Sequence, residues 1–512
     1  MLKKLPRSPS RWLSLVVVCF TVLVVNIDNT ILNVALPTLV RELHANISEL
    51  QWIVDSYAMV FAGLLLVSGS LADRYGRKKF FLIGLLVFIL GSLGAASSTT
   101  VHTLIAFRAL MGLGSALTVP ASLSILNDVF RNPKERAKAI GFWGGTAGLG
   151  IALGPIAGGL LLSHFWWGSI FIVNVPIGLV AMLAAVFLVP DSKNPKAERT
   201  DIIGALLSVA GLGLLLWAII EAPLKGWSSD LVREVGLSSL VALTGFVLWE
   251  IHSRHPILKI KFFANARFSI ATIAEVLGLF GLAGGLFMQT QFLQFDLGYS
   301  PLQAGIRILP IAAVVCLIAP LSPICARLIG VKLTVAAGLS AISGGLLQVS
   351  LSSDVTAVYT TVLPGLLLIG FGSGLLLPTA TNSVISSVPQ GDSGVGSATN
   401  SVAFQLGGAI GVAVIGSILS TRYQNHISLA LKGTQIPISV LHTISGSLGG
   451  ALTVASSIGG MSGHLLAYAA KEAFMSGGKL SLGVAAAVAF CGAIIVLAFL
   501  PSRQPADHSH SE

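Results

Sequence analysis

Charge is what this chain has least of: Asp, Glu, Lys and Arg make up 10% of its 512 residues, where a soluble domain carries roughly 25%. That scarcity excludes an ordinary water-soluble globule. Cysteine is scarce too. Cys19, Cys316, Cys325 and Cys491 all fall in apolar stretches without metal-ligand spacing, so they read as small hydrophobes and not as a disulfide framework or a metal centre. The HEXXH and GXSXG patterns of hydrolases are missing, as is any cysteine–histidine cluster placed for catalysis, which puts intramembrane enzymes and receptors far behind carriers as a functional class. What is present is apolar: 54% of residues are hydrophobic and the mean hydropathy is +0.86. This is the composition of an all-α polytopic membrane protein.

Apolar runs of about 20 residues cross a bilayer as helices. They place fourteen spans, at 12–36, 50–72, 80–97, 101–124, 138–162, 168–189, 202–221, 234–252, 268–294, 302–326, 332–351, 357–382, 397–420 and 480–500. Residues 421–479 are the one long connection, Gly/Ser/Ala-rich and weakly amphipathic from Leu448 to Ala470. His442, His464, Lys471, Glu472 and the glycines between Gly446 and Gly463 mark it as an external hairpin and not a further span.

Basic residues set the orientation. With the N-terminus inside, cytoplasmic segments hold 22 Lys and Arg, beginning with Lys3, Lys4, Arg7 and Arg11, against seven in external segments; Arg108 and Arg307 lie within spans. Both termini are therefore expected in the cytoplasm of a multi-pass cell-membrane protein. The net charge of +10 is topological and argues against a nucleic-acid partner. The basic start and the hydrophobic run after it resemble a signal peptide, but the run continues through Asp28 to Pro37, as an uncleaved first helix would.

The chain repeats itself. Gly112–Pro120 (GLGSALTVP) aligns with Gly370–Pro378 (GFGSGLLLP) at an offset of 258, and the turn Ala72–Lys78 has a worn echo in Ala326–Lys332 at 254. An offset near 256 maps spans 1–6 onto spans 9–14 and leaves spans 7 and 8 as an inserted pair. The expected division is a six-helix bundle over 1–190, the inserted pair and its linkers over 191–267, and a second six-helix bundle over 268–512 that includes the external loop at about 421–479. Two such bundles with a site at their interface are the geometry of alternating access.

Two acids interrupt the apolar runs: Asp28 in span 1 and Asp55 near the start of span 2. A charge at that depth costs about 2.5–3.5 kcal/mol on insertion scales, so it calls for a partner, an aqueous cavity or a proton. Taken to the outer end of span 1, Asp28 lies about 9–12 Å deep at 1.5 Å per residue. Asp55 is expected at a comparable level, and Arg108 of span 4 in the same outer half.

The loop Gly69–Lys79 (GSLADRYGRKK) resembles the signature between helices 2 and 3 of the major facilitator superfamily. Gly69 allows close helix approach, Gly76 a tight turn, and Asp73 with Arg77 a charge latch, with Arg74 and Lys78 beside them. In span 5, Gly150, Gly154 and Gly158 recur every four residues around Pro155, similar to the antiporter signature of that superfamily. They offer a smooth face for close contact, and Pro155 invites a kink. Ile27–Pro37 and Phe171–Gly178 look like the fourteen-helix drug:proton antiporter family, and Trp52–Tyr57 (WIVDSY) is similar to its exporters of quaternary ammonium compounds and dyes. Dication exporters of that kind carry further carboxylates in spans 10 and 13; this chain has none there, so the resemblance implies monovalent lipophilic cations.

Burial disfavours a charged carboxylate, while a nearby guanidinium or bound organic cation favours it. The resemblance thus implies proton-driven antiport by a monomer, with no cofactor beyond the proton gradient: Asp28 as principal proton carrier, Asp55 as drug partner or second carrier, with the roles exchangeable, and Arg108 linked to proton transfer. A purely structural salt bridge from either acid to Arg108 is the alternative. Glu275 joins Asp28, Asp55 and Arg108 as a candidate for proton coupling, and Gln289 is a candidate substrate contact; both belong to a heptad-spaced stripe with Gly278, Leu282 and Gly285 of span 9, expected to line the cavity or pack on the partner half. Trp52, Tyr57, Phe404 and Gln405 are candidates for a drug pocket through cation–π contact, or plain packing. Arg307 either takes part or snorkels outward. A dedicated exporter of one solute, a secondary metabolite or a lysolipid, fits the same motifs.

Overall fold

The computed structural model describes residues 11–193, 201–253, 256–354, 357–389, 393–432 and 436–501. The basic residues Lys3, Lys4 and Arg7 and both chain ends lie outside the described residues. The helices run in the order α1 Arg11–Leu43, α2 Ile47–Tyr75, α3 Arg77–Ala96, α4 Val101–Val129, α5 Pro133–His164, α6 Ser169–Ile172 and α7 Asn174–Leu188. The inserted pair is α8 Ile202–Lys225 and α9 Asp230–His252. Then come α10 Ala266–Gln291, α11 Pro301–Ile318, α12 Ser322–Leu328, α13 Val331–Ser352, α14 Tyr359–Ser386, α15 Ser393–Ala430, α16 Ile438–Gly446, α17 Leu448–Ile458 and α18 Gly460–Phe499. Among the described residues, thirteen helical segments are long and apolar enough to cross a bilayer, and α2, bent by 52° between Leu65 and Val67, makes a fourteenth when taken as one span.

Two expectations need correction. Residues 421–479 are not a long loop: α15 continues to Ala430 and α18 begins at Gly460, so only the short helices α16 and α17 form the hairpin between them. Small residues without proline let both long helices run on, and the turn into α18 uses Gly459 and Gly460, both at positive φ. The Tyr423 hydroxyl donates to the carbonyls of Ile444 and Ser447 and fixes the hairpin to α15. Likewise α1 runs on to Leu43, so Asp28 stands near the middle of its helix and not close to its outer end.

The repeat holds at the level of single contacts. A Cβ placed on Gly112 of α4 would meet the Tyr57 carbonyl at 2.5 Å, and one on Gly370 of α14 the Ile311 carbonyl at 2.7 Å. Gly150 of α5 packs on Leu23 and Asn26 of α1, as Gly407 of α15 packs on Val276 and Leu279 of α10. Gly154 meets the Ile27 carbonyl, and Gly411 that of Phe280. Span 1 therefore maps to span 9 at an offset of 253, and span 4 to span 12 at 258. Small residues recur at these places because helices without a hydrophobic drive to associate gain by close backbone approach.

The halves meet on the side away from the basic loops. Gln51, near the start of α2, donates to the carbonyls of Val412 (3.1 Å) and Ala413 (2.6 Å) of α15, and Gln294 donates to Val34 of α1 (2.8 Å). Gly159 of α5 abuts Leu302 of α11, and Gly305 of α11 abuts the Pro155 carbonyl. On the basic side of α5, positions for a Cβ on Gly141, Gly144, Gly145 and Gly148 have nothing within 4 Å. The halves are closed along the seam away from the basic loops, called the outer seam after the orientation expected from the sequence, and the basic half of α5 stands open.

Candidate functional site

Asp28 and Arg108 are both fully buried and face each other across α1 and α4, with Arg108 Nη1 2.7 Å from Asp28 Oδ2. The other carboxylate oxygen accepts from Asn174 Nδ2 at 2.6 Å. Asn174 opens α7 just after the break at Val173 that separates α6 from α7, and Ser92 of α3 lies 3.4 Å from the same amide nitrogen. Arg108 Nε donates to the Ile53 carbonyl of α2 at 3.1 Å, its guanidinium lies over the Tyr57 ring at 4.5 Å, and the Tyr57 hydroxyl reaches Ser115 at 2.8 Å. Arg108 Nη2 is buried without a hydrogen-bond partner among the described residues. One guanidinium thus ties α1, α2 and α4 together around one carboxylate.

Asp55 is different. It is fully buried, and neither oxygen has a hydrogen-bond partner among the described residues. It lies one turn beyond Gln51 and one turn before Ala58, both packed against α15, so it belongs to the seam between halves and not to the Arg108 network. The two acids that the sequence pairs by depth are separated by function of face: one is ion-paired inside its bundle, the other stands bare toward the opposite bundle.

Close packing places Asp28. Gly150 and Gly154 of α5 sit against Asn26, Ile27 and Thr30, and Thr30 Oγ1 donates to the Gly150 carbonyl at 3.2 Å; Gly158 meets Ile31. The glycine stripe is the surface on which the Asp28 segment rests, while Pro155 reaches across to Gly305. At the basic end, Gly76 adopts φ +124° between α2 and α3. Arg77 Nε contacts Asp73 at 2.6 Å, and its Nη1 lies 3.5 Å from Asp128 of α4, a partner not foreseen from the sequence. Lys78 donates to the Val186 carbonyl of α7 at 2.8 Å, Arg74 lies over the Tyr75 ring, and Gly69 packs on Pro120.

The other predicted positions scatter. Trp52 donates to Glu221 of α8 at 3.1 Å and packs in a cluster with Ala58, Ile220 and Ala409, against the inserted pair. Tyr57 is wholly buried beneath Arg108. Phe404 and Gln405 are half-buried on α15. The α10 stripe turns into its own half and not toward the partner half: Gly278 meets Leu376 and Ile342, Gly285 meets Leu346, and Gln289 lines a small cavity with Ile311 and Ile369. Leu376 and Ile342 belong to α14 and α13, whose contact with α10 the heptad spacing could not distinguish from a cavity lining. Glu275 is fully buried and accepts from Thr381 Oγ1 at 2.6 Å. Arg307 is stacked over Tyr299 at 3.8 Å, so aromatic rings hold it at the outer end of α11. Asn174 and Asp128 are the contacts of the predicted residues that sequence reasoning missed; Asn174 stands inside the Phe171–Gly178 motif and was the legible one.

Comparison with known proteins places this geometry. The sequence profile of the Major Facilitator Superfamily matches residues 18–412. The multidrug efflux pump LfrA of Mycolicibacterium smegmatis is 32% identical, over 96% of each chain. The tetracenomycin C resistance and export protein of Streptomyces glaucescens is 30% identical over 98% of this chain and 94% of its own. The methyl viologen resistance protein SmvA of Salmonella typhimurium is 32% identical over 93% and 95%. Among solved structures, a bacterial homologue of the human lysosomal transporter Spinster, inward-facing and occupied, superposes with a TM-score of 0.68 at 16% identity over 97% of this chain and 98% of that one, a likeness of fold. With thirteen to fourteen candidate spans among the described residues, a repeated glycine packing and relatives that match end to end, this chain belongs to the Major Facilitator Superfamily of membrane transporters.

Proposed function

We propose that the chain is a proton-driven exporter of lipophilic cationic drugs and dyes, working as a monomer by alternating access. Residues 1–190 and 268–512 rock against each other while 191–267 ride on α2 and α15. The export of drugs follows the relatives, which are named for multidrug efflux and for resistance to tetracenomycin C and methyl viologen. One observation carries the proton: the buried Asp28–Arg108 pair at 2.7 Å beside a bare, buried Asp55.

An ionised Asp55 without a counter-charge is unfavourable in this medium, so it is occupied by a proton or by the cation being exported. Those two occupants exclude each other at one negative charge, which makes the exchange obligatory. Asp28 serves as the proton carrier that reports to the helices, because a proton on it weakens the Arg108 contact that joins α1 to α4. The outer seam described above corresponds to the cytoplasm-facing state, in which drug enters and protons leave.

Ethidium export from vesicles under an imposed pH gradient, comparing the wild type with Asp28→Asn and Asp55→Asn at equal expression, tests the reading. Each variant is expected to lose gradient-driven export. Export that persists unchanged in Asp28→Asn removes Asp28 from coupling, and dye movement indifferent to the gradient in the wild type favours a dedicated carrier or another driving ion.

A further inference from the structure

The geometry points to a second proton-binding site, formed by Glu275, Thr381 and Asn400 in the carboxy-terminal half and displaced toward the basic-loop side, so that each half loads its own proton. This rests on the exporter reading. Glu275 of α10 is fully buried. Its Oε1 accepts from Thr381 of α14 at 2.6 Å, and the Asn400 amide nitrogen of α15, in the orientation that completes the network, stands 2.6 Å from Oε2 and 2.8 Å from Oε1.

None of these partners carries charge, and no ion pair to Glu275 occurs among the described residues. The ionisable groups of the packed helices stand elsewhere. On α10 itself Arg267 lies two turns away, bonded to Ser383 at 3.0 Å, and Asp296 follows the far end. Lys261 lies in the segment leading into α10, Lys332 at the start of α13 and Tyr359 at the start of α14. Arg422, Tyr423 and His426 occupy the outer part of α15; His464, Tyr468, Lys471, Glu472 and Lys479 that of α18, with Cys491 further along. On α1, Asp28 is engaged with Arg108, Arg11, Arg41 and Glu42 lie near the ends, and Cys19 lies toward the basic end.

The chemistry of the partners suits a group that changes protonation. A carboxylate takes the amide nitrogen of Asn400; a carboxylic acid can donate its proton to the amide oxygen after the side chain turns over, and the Thr381 hydroxyl serves either state. Asp28 has no such latitude on its guanidinium side, where Arg108 can only donate. The pair of sites is also not a relic of duplication. In the frame of the repeat, Asp28 corresponds to Gly281 and Arg108 to Leu366, while Glu275 corresponds to Val22. Glu275 therefore stands six residues before the counterpart of Asp28, about 9 Å nearer the basic-loop side at 1.5 Å per residue. It joins α10, α14 and α15; α15 meets α2 along the outer seam, and the segment continuing α10 meets α1 there through Gln294. Protonation there bears directly on the elements that must part.

The test uses the full chain. In weakly buffered detergent solution, adding ethidium to the purified protein displaces protons; in proteoliposomes, a pH gradient drives export. Glu275→Gln is expected to release fewer protons per ethidium bound than the wild type, to bind ethidium more weakly by reciprocity with the lost proton release, and to lose an order of magnitude in gradient-driven export. Wild-type proton release and export in Glu275→Gln overturn the site; with Asp28→Asn defective in the same assays, the exporter reading survives alone. If neither variant departs from the wild type, both fall. Should Glu275→Gln fail to fold, Thr381→Val keeps the carboxylate and removes one donor. A shifted pH midpoint of export then supports the site, and an unmoved midpoint overturns it.

Discussion

The Arg108–Asp28 pair makes a quantitative demand on stability. Both side chains are inaccessible to solvent, 2.7 Å apart, with Asn174 closing the second oxygen at 2.6 Å. Removing one member of such a buried pair leaves an uncompensated charge and costs about 3–5 kcal/mol, whereas removing both together leaves a neutral gap. Arg108→Met strands Asp28 with a single amide donor and also strips the cation from the Tyr57 face, worth up to about 2 kcal/mol when desolvated. Asp28→Asn leaves the buried guanidinium without its counter-charge, facing a neutral amide, the Ile53 carbonyl and that ring. The double variant Asp28→Asn/Arg108→Met should therefore be more stable than the Arg108→Met single variant, with a coupling energy of about 2–4 kcal/mol, within the upper range for contacting residues and buried pairs. Membrane proteins of this size unfold irreversibly, so the assay is the half-life of the monodisperse protein in detergent at a fixed temperature. A coupling of about 3 kcal/mol corresponds to roughly a hundredfold difference in rate if the pair is broken in the transition state. Additive effects of the two substitutions would refute the reasoning.

Two further expectations follow from packing. Gly154→Ala drives a methyl group to 3.0 Å from the Ile27 carbonyl and into Thr30, an overpacking of about 1–3 kcal/mol that should shorten the detergent half-life, whereas Gly144→Ala on the open side of the same helix should leave it unchanged; equal effects would show that the stripe does not seat α1. Gln51→Leu removes two bonds from α2 to α15, about 1 kcal/mol each, and should lengthen the distance between spin labels on the outer ends of those helices; an unaltered distance distribution would mean the seam is held by something else.

Much of this molecule was written in its sequence because the bilayer allows so few solutions. Span lengths follow from its thickness, and the duplicated glycines followed from the need for close backbone contact, so Gly112 and Gly370 announced each other across the chain. The loop from Gly69 to Lys79 was legible for the same reason, since only Gly76 satisfies its backbone angle. Side-chain direction was not legible. Asp28 and Asp55 look alike as acids in apolar runs, yet one turns to Arg108 and the other toward α15, a difference of helix face that depends on which neighbour packs where. For Trp52 the sequence leaves a drug pocket and plain packing both open; the inserted pair supplies Glu221 to its indole, and nothing in a single sequence fixes where an inserted helix docks. The hairpin boundary failed for another reason: Gly/Ser/Ala-rich segments look like loops in water, while against apolar neighbours such residues pack as helices.

The asymmetry of charge between two otherwise duplicated halves bears on how a carrier of this kind turns. Where the first half has Asp28 and Arg108, the second has Gly281 and Leu366, so the ion pair cannot be a requirement of the fold itself. Both neighbours of Asp28 in this conformer are donors, which is what an ionised carboxylate accepts, and the same guanidinium grips the Ile53 carbonyl of α2. Asp55 lies two residues further along that helix, on the face toward α15. On the proposed reading, a proton arriving at Asp28 would loosen α1 from α4 while α4 keeps its hold on α2, and a small rotation of α2 would carry Asp55 with it, along with Gln51 at the closed seam. Coupling on that reading needs no long relay: bare Asp55 and the Gln51 bonds that shut the seam stand about one turn apart on α2, and Arg108 links that helix to Asp28 of α1.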